Sequence, residues 1–286
     1  MTGQLAQDAT IKTFQEAQEG LGAARWKSGE AQWNLEHVAE AAMRSLRGVG
    51  VPEPRLVVGN DTIGAGLGAM FDVRTWTITA AGRGFALPRT DVDDAYMQAR
   101  AAALYHEARH AEQFYLAARV IAGKREMSRD KWELLMGPIY PGAVFEAAGQ
   151  QSLTASTAEL AEIAGWIRAY NGVSRVMKDL SDAREELVKA GEALQTARGE
   201  LPAAFEDDDS AYYQARLEKQ QLLAKLLKEL FEKALATYVG QAHEVDAYAV
   251  SGRVGAKAPT SKTTYDNLLG GHLELYRLDI ERLAGA

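Results

Sequence analysis

The segment His106-Glu107-Ala108-Arg109-His110 places two imidazoles and a carboxylate within one short stretch of chain. On an α-helix, residues four apart stand one turn apart on the same face, so both imidazoles can hold one zinc ion. Glu107 then lies beside the ion, where it can take a proton from a metal-bound water. A helix is predicted here because Ala, Leu, Glu, Gln and Arg dominate, and neither Gly nor Pro occurs in residues 91–122.

The surroundings of the two histidines favour metal binding over the alternative, a polar surface face of an ordinary helix. The chain has five histidines in 286 residues, and two of them fall at the required spacing. The flanking residues are small and apolar, which predicts a mostly buried helix. Buried imidazole nitrogens must be satisfied, and a metal ion does this well.

A catalytic zinc usually has three protein ligands plus water, and the best third candidate is Glu244. It lies with His243 and Asp246 in an otherwise apolar helical stretch. Glu244 and Ala247 share one face, and the small alanine lets another helix approach closely. Asp246 points about 200° away on an ideal helix and is the weaker candidate. Because the chain has no cysteine, zinc must be held by histidine and carboxylate. The alternative is a solvated helix carrying ordinary charges.

These residues resemble the zincin metallopeptidases, in particular the gluzincins, whose third ligand is a glutamate on a later helix. The resemblance covers about residues 55–120 and 235–255, and the continuation to Gln113 is also similar to bacterial predicted metallopeptidase and toxin-associated domains. It implies a zinc peptidase acting on a peptide or protein, with His106, His110 and Glu244 as Zn²⁺ ligands and Glu107 as general base. Glu244 lies farther from His110 than in simple gluzincins, so either an insertion returns to the site or Glu244 is not the ligand.

Supporting roles around the metal stay open at this point. A hydrolytic zinc site usually adds a donor that stabilises the oxyanion, and the candidates are Tyr248, Tyr265, His243 and His272. Metal-binding imidazoles also need partners for their second nitrogens, and the candidates are Glu112, Gln113 and Asp246.

The fold predicted is mainly α within an α+β class, a zincin-like helical core with a small sheet and a long helical hairpin. Four segments are expected: an N-terminal helical segment (1–50), a core with the sheet and the histidine helix (51–150), a hairpin insertion (151–235) and a return helix with a C-terminal helix (236–286). Helical spacing of apolar residues over about 8–47 predicts a helix pair or one long helix. A short helix is also expected at 125–136, and a closing helix at 265–283.

After Pro54 the spacing of apolar residues changes from helical to alternating, which predicts the sheet. Residues 55–58 form a short β run, and residues 70–79 alternate and are rich in β-branched and aromatic side chains. In zincins an edge strand beside the cleft pairs with an extended substrate, and residues 71–79 stand in the matching position. A plain hairpin that packs on the helices is the alternative. The run Gly64-x-Gly-x-Gly68 lacks the Lys-Ser/Thr ending of a phosphate loop and is rejected as one.

Two long helical tracts, about 153–198 and 210–250, predict the hairpin, with an interruption expected near residues 171–172. Leu180, Leu187 and Leu194 recur every seven residues, a coiled-coil spacing. The hairpin explains how the chain leaves the histidine helix and comes back with Glu244. It is also a candidate surface for a protein partner or for self-association. The segment after the second tract, 251–264, is expected to be a loop.

Composition narrows the functional classes. A formal net charge of −7 argues against nucleic-acid binding, no apolar window approaches a membrane span, and the N-terminus lacks secretory-signal features. A cytoplasmic protein is expected, or one exported without a cleavable signal, which would fit an effector toxin. The rival hypothesis is a non-enzymatic helical adaptor or structural protein with a structural or vestigial metal site.

Overall fold

A computed structural model describes residues 3–19, 23–27, 29–59, 69–86, 92–123, 141–153, 155–204 and 210–255. The fold is mainly helical with a small three-stranded mixed sheet, in agreement with the predicted class. In chain order the elements are α1 (Asp8–Glu19), α2 (Ala31–Gly48), β1 (Arg55–Gly59), β2 (Ala69–Asp72), β3 (Thr77–Ala81), α3 (Asp94–Ala122), α4 (Gly142–Gln150), α5 (Thr157–Ala204), α6 (Ser210–Val239) and α7 (Ala242–Gly255). None of the described helices is long and apolar enough to cross a membrane.

The described residues fall into two compact units. The first contains the chain up to Ala169 and α7 from Val245 onward, and the second contains the residues from Tyr170 to Glu244. The division lies inside α7, after Glu244. α7 runs as one helix from Ala242 to Gly255, and Glu244 lies in its first turn.

The first unit begins with the predicted helix pair, α1 and α2. The core-facing side of α2 carries buried Leu35, Val38 and Leu46. Asn34 on the same helix is fully buried, and its amide donates to the carbonyl oxygens of Lys27 and Phe85, each at 2.7 Å. A buried amide satisfied in this way ties the loop before α2 to the segment after the sheet.

The sheet has the order β1-β3-β2, with β1 parallel and β2 antiparallel to β3. The expectation of one edge strand over residues 71–79 is therefore wrong. That stretch is divided by a turn that contains Trp76 at φ 51°, and β3 is paired on both sides. β2 is an edge strand, because within the described sheet it pairs with β3 alone. The N–H of its Phe71 faces α3 and not another described strand.

Helix α3 is the central element of the first unit. Asp93 caps its N-terminus by accepting a hydrogen bond from the Tyr96 backbone N–H at 2.7 Å. From Ala101 to Ala118 the helix is buried almost all round, in contact with α2, β2 and α4. A helix enclosed on every side must pair any polar side chain it carries, and this applies directly to the two histidines.

In the second unit, α5 and α6 form the predicted antiparallel hairpin. Ala190, Leu194 and Ala197 of α5 pack against Leu217 and Ala224 of α6. Near the tip, Arg216 donates to Glu200 at 2.5 Å. The expected interruption near residues 171–172 is absent, since α5 is helical throughout that stretch.

The second helical tract was predicted as one helix and is two. α6 ends at Val239, and α7 begins at Ala242. Gly240 closes α6 by donating its N–H to the Ala236 carbonyl at 3.0 Å, a common glycine role at helix ends. The prediction of a loop from residue 251 is also wrong for residues 251–255, because α7 continues to Gly255. Helix α4 was not predicted. The helices expected at 125–136 and 265–283 lie outside the described residues.

The hairpin interior allows a stability prediction. Leu194→Ala removes a side chain that is 4 % exposed, and we expect it to lower the free energy of unfolding by about 2–5 kcal/mol through lost burial and a residual cavity. Leu222→Ala is the matched control, because Leu222 on α6 is 58 % exposed and its truncation changes stability by about 0.5 kcal/mol or less. Urea unfolding followed by circular dichroism measures both. Equal losses in the two variants would contradict the packing described for the hairpin.

Candidate metal centre

The two imidazoles of the motif face each other on α3. His106 and His110 are 8 % and 7 % exposed, and their Nε2 atoms are 3.1 Å apart. Their rings meet nearly at right angles, with centroids 4.7 Å apart. The i, i+4 spacing on a straight buried helix produces this geometry, since one turn separates the two side chains.

Glu244, in the first turn of α7, joins the two imidazoles. One ligand atom from each of His106, His110 and Glu244 lies within 4.8 Å of the others, and all three residues are buried. Ala247, one turn farther along α7, is fully buried, as expected for a small residue that permits close helix packing. Asp246 is outside this group, in agreement with its direction on the helix.

The donor set suits a zinc ion. Donor atoms around tetrahedral zinc lie roughly 3.3 Å apart when the bonds are about 2.0–2.1 Å long. The Nε2–Nε2 distance of 3.1 Å matches this value, and the ligand atom of Glu244 lies within 4.8 Å of those of the two histidines. Two imidazoles and one carboxylate also form a ligand combination found in catalytic zinc sites.

The orientation of His110 is set by Gln113 and Asp246. The Gln113 amide nitrogen donates to Asp246 Oδ2 at 2.6 Å, which directs the amide oxygen toward His110 Nδ1 at 2.9 Å. An amide oxygen only accepts, so Nδ1 of His110 carries the hydrogen. In the neutral ring the lone pair is then on Nε2, the atom that faces His106, and this is the tautomer a metal needs.

Asp246 in turn is paired with Arg109, which directly precedes His110 in the chain. Arg109 Nε and Nη2 lie 2.8 Å from Asp246 Oδ2, and Nη1 pairs with Glu112. Arg109 is completely buried, with its guanidinium carbon 5.2 Å from the Trp166 ring centroid. Burial opposes its charged form, but Glu112 and Asp246 outweigh this effect and raise the pKa of the guanidinium.

The three candidate partners of the imidazoles thus have different positions. Gln113 contacts His110 directly, and Asp246 acts on it through Gln113. Glu112 contacts Arg109 and accepts from the backbone N–H groups of Gln4 and Leu5. The structural role of Arg109 was missed by sequence reasoning. The available signal was an arginine in a stretch of helix whose small and apolar residues predict burial.

Glu107 is held at the edge of the sheet. Its Oε2 accepts a hydrogen bond from the Phe71 backbone N–H of β2 at 2.7 Å. The Phe71 ring also packs on α3, with its centroid 6.0 Å from that of Phe114. An N–H donor stabilises the ionised carboxylate, the form that can accept a proton. No sequence signal identified this backbone donor, because it depends on how β2 packs on α3.

Of the oxyanion candidates, Tyr248 is next to the imidazoles. It is 4 % exposed, and its ring centroid is 4.4 Å from that of His106. The His243 ring instead lies beside that of Tyr170, tilted by 40° with the centroids 4.2 Å apart, and its Nε2 lies 3.4 Å from Glu244 Oε1. Tyr265 and His272 are outside the described residues.

The charges buried around this group are unbalanced. Among the described residues, the buried carboxylates are Glu107, Glu112, Glu244 and Asp246, whereas Arg109 is the single buried Lys or Arg. Buried negative charge in excess of buried positive charge is costly, and a bound cation or proton offsets it. A divalent ion between the imidazoles and Glu244 would remove most of the surplus.

Comparison of the chain with protein-family models, with curated proteins and with solved structures finds no match.

Proposed function

We propose that this protein is a zinc-dependent hydrolase that cleaves peptide bonds. The observation that carries the proposal is the buried group of His106, His110 and Glu244, with Glu107 on the same turn of α3. Two imidazoles and a carboxylate would hold the ion. When bound, zinc would supply a Lewis acid that activates water and polarises a carbonyl.

The residues of the chain would perform the proton transfers. Glu107 would take a proton from the attacking water and pass it to the leaving amine. Its hydrogen bond from Phe71 keeps one carboxylate oxygen in place during this exchange. Gln113 keeps the His110 ring in the metal-binding tautomer. Tyr248 is the described side chain best placed to donate to a developing oxyanion, because it packs against His106.

The edge strand β2 supports a peptide as the substrate. Within the described sheet it pairs with β3 alone, and the outward Phe71 N–H points to Glu107. A peptide bound beside the end of this strand would bring its backbone carbonyls next to the general base, while Phe71 itself stays paired with Glu107. Edge-strand addition of this kind is a recurrent way of binding peptides.

A structural or adaptor role is the second candidate, and a feature of α6 favours it. Leu222, Leu226 and Leu230 are 58 %, 53 % and 53 % exposed and share one face of the helix. A row of exposed leucines is a usual mark of a protein-binding surface. In that case the metal group would stabilise the fold and would catalyse nothing.

Metal content tests the site. We expect about one zinc per chain in purified wild-type protein, and loss of the metal in both His110→Ala and Glu244→Ala, because each removes one of three ligands. His37→Ala is the control, because the His37 ring stacks on Trp33 in α2. We expect this substitution to leave the zinc content unchanged. Elemental analysis of all four proteins provides the measurement.

Each other outcome is informative. Zinc lost in His110→Ala and retained in Glu244→Ala would remove Glu244 from the ligand set. A wild-type protein that takes up no zinc, even when zinc is supplied, would overturn the proposed hydrolase. Zinc without cleavage of any member of a peptide library would favour the adaptor role.

A further inference from the structure

The segment Gly3–Ala6, called here the N-terminal strap, lies buried against α3. Leu5 is 0 % and Ala6 is 6 % exposed. The backbone N–H groups of Gln4 and Leu5 donate to the Glu112 carboxylate at 2.6 and 3.1 Å. The Leu5 carbonyl accepts from the Tyr105 hydroxyl at 2.9 Å. The strap therefore supplies the buried Glu112 with two of its hydrogen-bond donors.

From Glu112 a chain of polar contacts leads to the metal group. Glu112 pairs with Arg109, and Arg109 pairs with Asp246 at 2.8 Å. Asp246 accepts from Gln113 at 2.6 Å, and Gln113 contacts His110 Nδ1 at 2.9 Å. Every member is buried. Charged hydrogen bonds are short and directional, so a shift at one end of such a chain moves the next member.

Gly3 lets the strap come this close. Its φ is +105°, a conformation that residues with a side chain rarely adopt. A Cβ at this position would overlap Nη1 of Arg109 and lie 3.0 Å from Cδ of Glu112. The backbone of the strap thus occupies the space beside the Arg109–Glu112 pair, and no larger residue fits there without moving that pair.

We infer that the N-terminal strap is a positioning element for the His110 imidazole, acting through Glu112, Arg109, Asp246 and Gln113. The effect of the strap on metal binding rests on the proposed zinc site. With the strap in place, Glu112 is satisfied by backbone donors and holds Arg109, which in turn fixes Asp246. When the strap is displaced, Arg109 moves with Glu112, Asp246 loses its contact with Arg109, and Gln113 no longer holds the ring.

Gly3→Ala compared with Gly29→Ala tests this inference. Both glycines have positive φ, +105° and +83°, so the backbone cost is similar, but a Cβ at Gly29 meets nothing within 4 Å. Nitrogen NMR of the imidazoles in metal-free protein reports whether hydrogen is on Nδ1 or Nε2. We expect the His110 signal to show the Nδ1–H tautomer in wild type and Gly29→Ala, and a mixed population in Gly3→Ala.

Zinc affinity, measured by chelator competition, supplies the second readout. We expect Gly3→Ala to weaken zinc binding roughly tenfold, as for other residues that orient metal ligands, with no change in Gly29→Ala. In a Gln113→Leu background, where the chain of contacts is cut, Gly3→Ala should add little further loss. An equal loss in both backgrounds would show a general effect of folding and overturn the inference.

The two proposals fail in different ways. A wild-type protein that binds no zinc overturns the proposed function, while the tautomer of His110 still decides whether the strap acts on the ring. An unchanged His110 signal in Gly3→Ala overturns the role of the strap and leaves zinc binding intact. If Gly3→Ala does not fold, Tyr105→Phe replaces it, because it removes the bond to Leu5 without added volume. The same change in the His110 signal is then expected, and its absence counts against the strap.

Discussion

Glu107→Gln is expected to retain zinc at the wild-type level and to lower the rate of peptide cleavage by about 10²–10⁴-fold. Glutamine has nearly the same shape as glutamate, and its amide oxygen can still accept from the Phe71 N–H. The contact between β2 and α3 is therefore kept. The amide cannot accept a proton from water, so the chemical step loses its base.

This variant separates a catalytic from a structural metal site. Cleavage of a peptide library is followed by mass spectrometry, and zinc content is measured on the same samples. Glu192→Gln is the control, since Glu192 is exposed on α5 and should behave as wild type. Unchanged cleavage in Glu107→Gln would remove Glu107 as general base, and loss of zinc would assign it a ligand role instead.

Arg109→Met is expected to be the most destabilising single substitution in the first unit. Removal of the guanidinium leaves Glu112 and Asp246 buried without their cation, and such broken pairs cost about 3–5 kcal/mol of unfolding free energy. Methionine roughly preserves the side-chain length and can still pack beside Trp166. The loss would therefore come mainly from charge and little from volume.

Urea unfolding in the presence of a chelator measures this effect without a contribution from metal. The control is Arg44→Met, because Arg44 is 65 % exposed and its pair with Glu40 has a 3.3 Å separation. A pair of this kind contributes about 0–1 kcal/mol. A similar small loss in both variants would show that the buried pairs of Arg109 contribute no more than a surface contact.

Much of the candidate site follows from short-range spacing. His106 and His110 are one turn apart, and the helical composition around them is unbroken, so their juxtaposition requires no tertiary contact. The preference for Glu244 over Asp246 also rests on local geometry, since the two carboxylates leave α7 in different directions. The structure places Glu244 with the imidazoles, whereas Asp246 accepts a hydrogen bond from Gln113.

The sheet shows where this reasoning is insufficient. Alternation over residues 70–79 identifies extended chain, but it does not show that the turn at Trp76 divides the stretch. Nor does it show that β3 pairs with β1, which lies before β2 in the chain. Strand order is a property of pairing between distant segments, and the period of side chains does not contain it.

The sequence alone determined the helical class, the two long helical tracts of the hairpin and the pair of imidazoles on one helix face, because each follows from local composition and spacing. Only the tertiary structure determined that Phe71 donates to Glu107, and that the strap satisfies Glu112. It also determined that Arg109 joins Glu112 to Asp246. These contacts join segments far apart in the chain. They form because buried charges and backbone groups must find partners once the helices have packed.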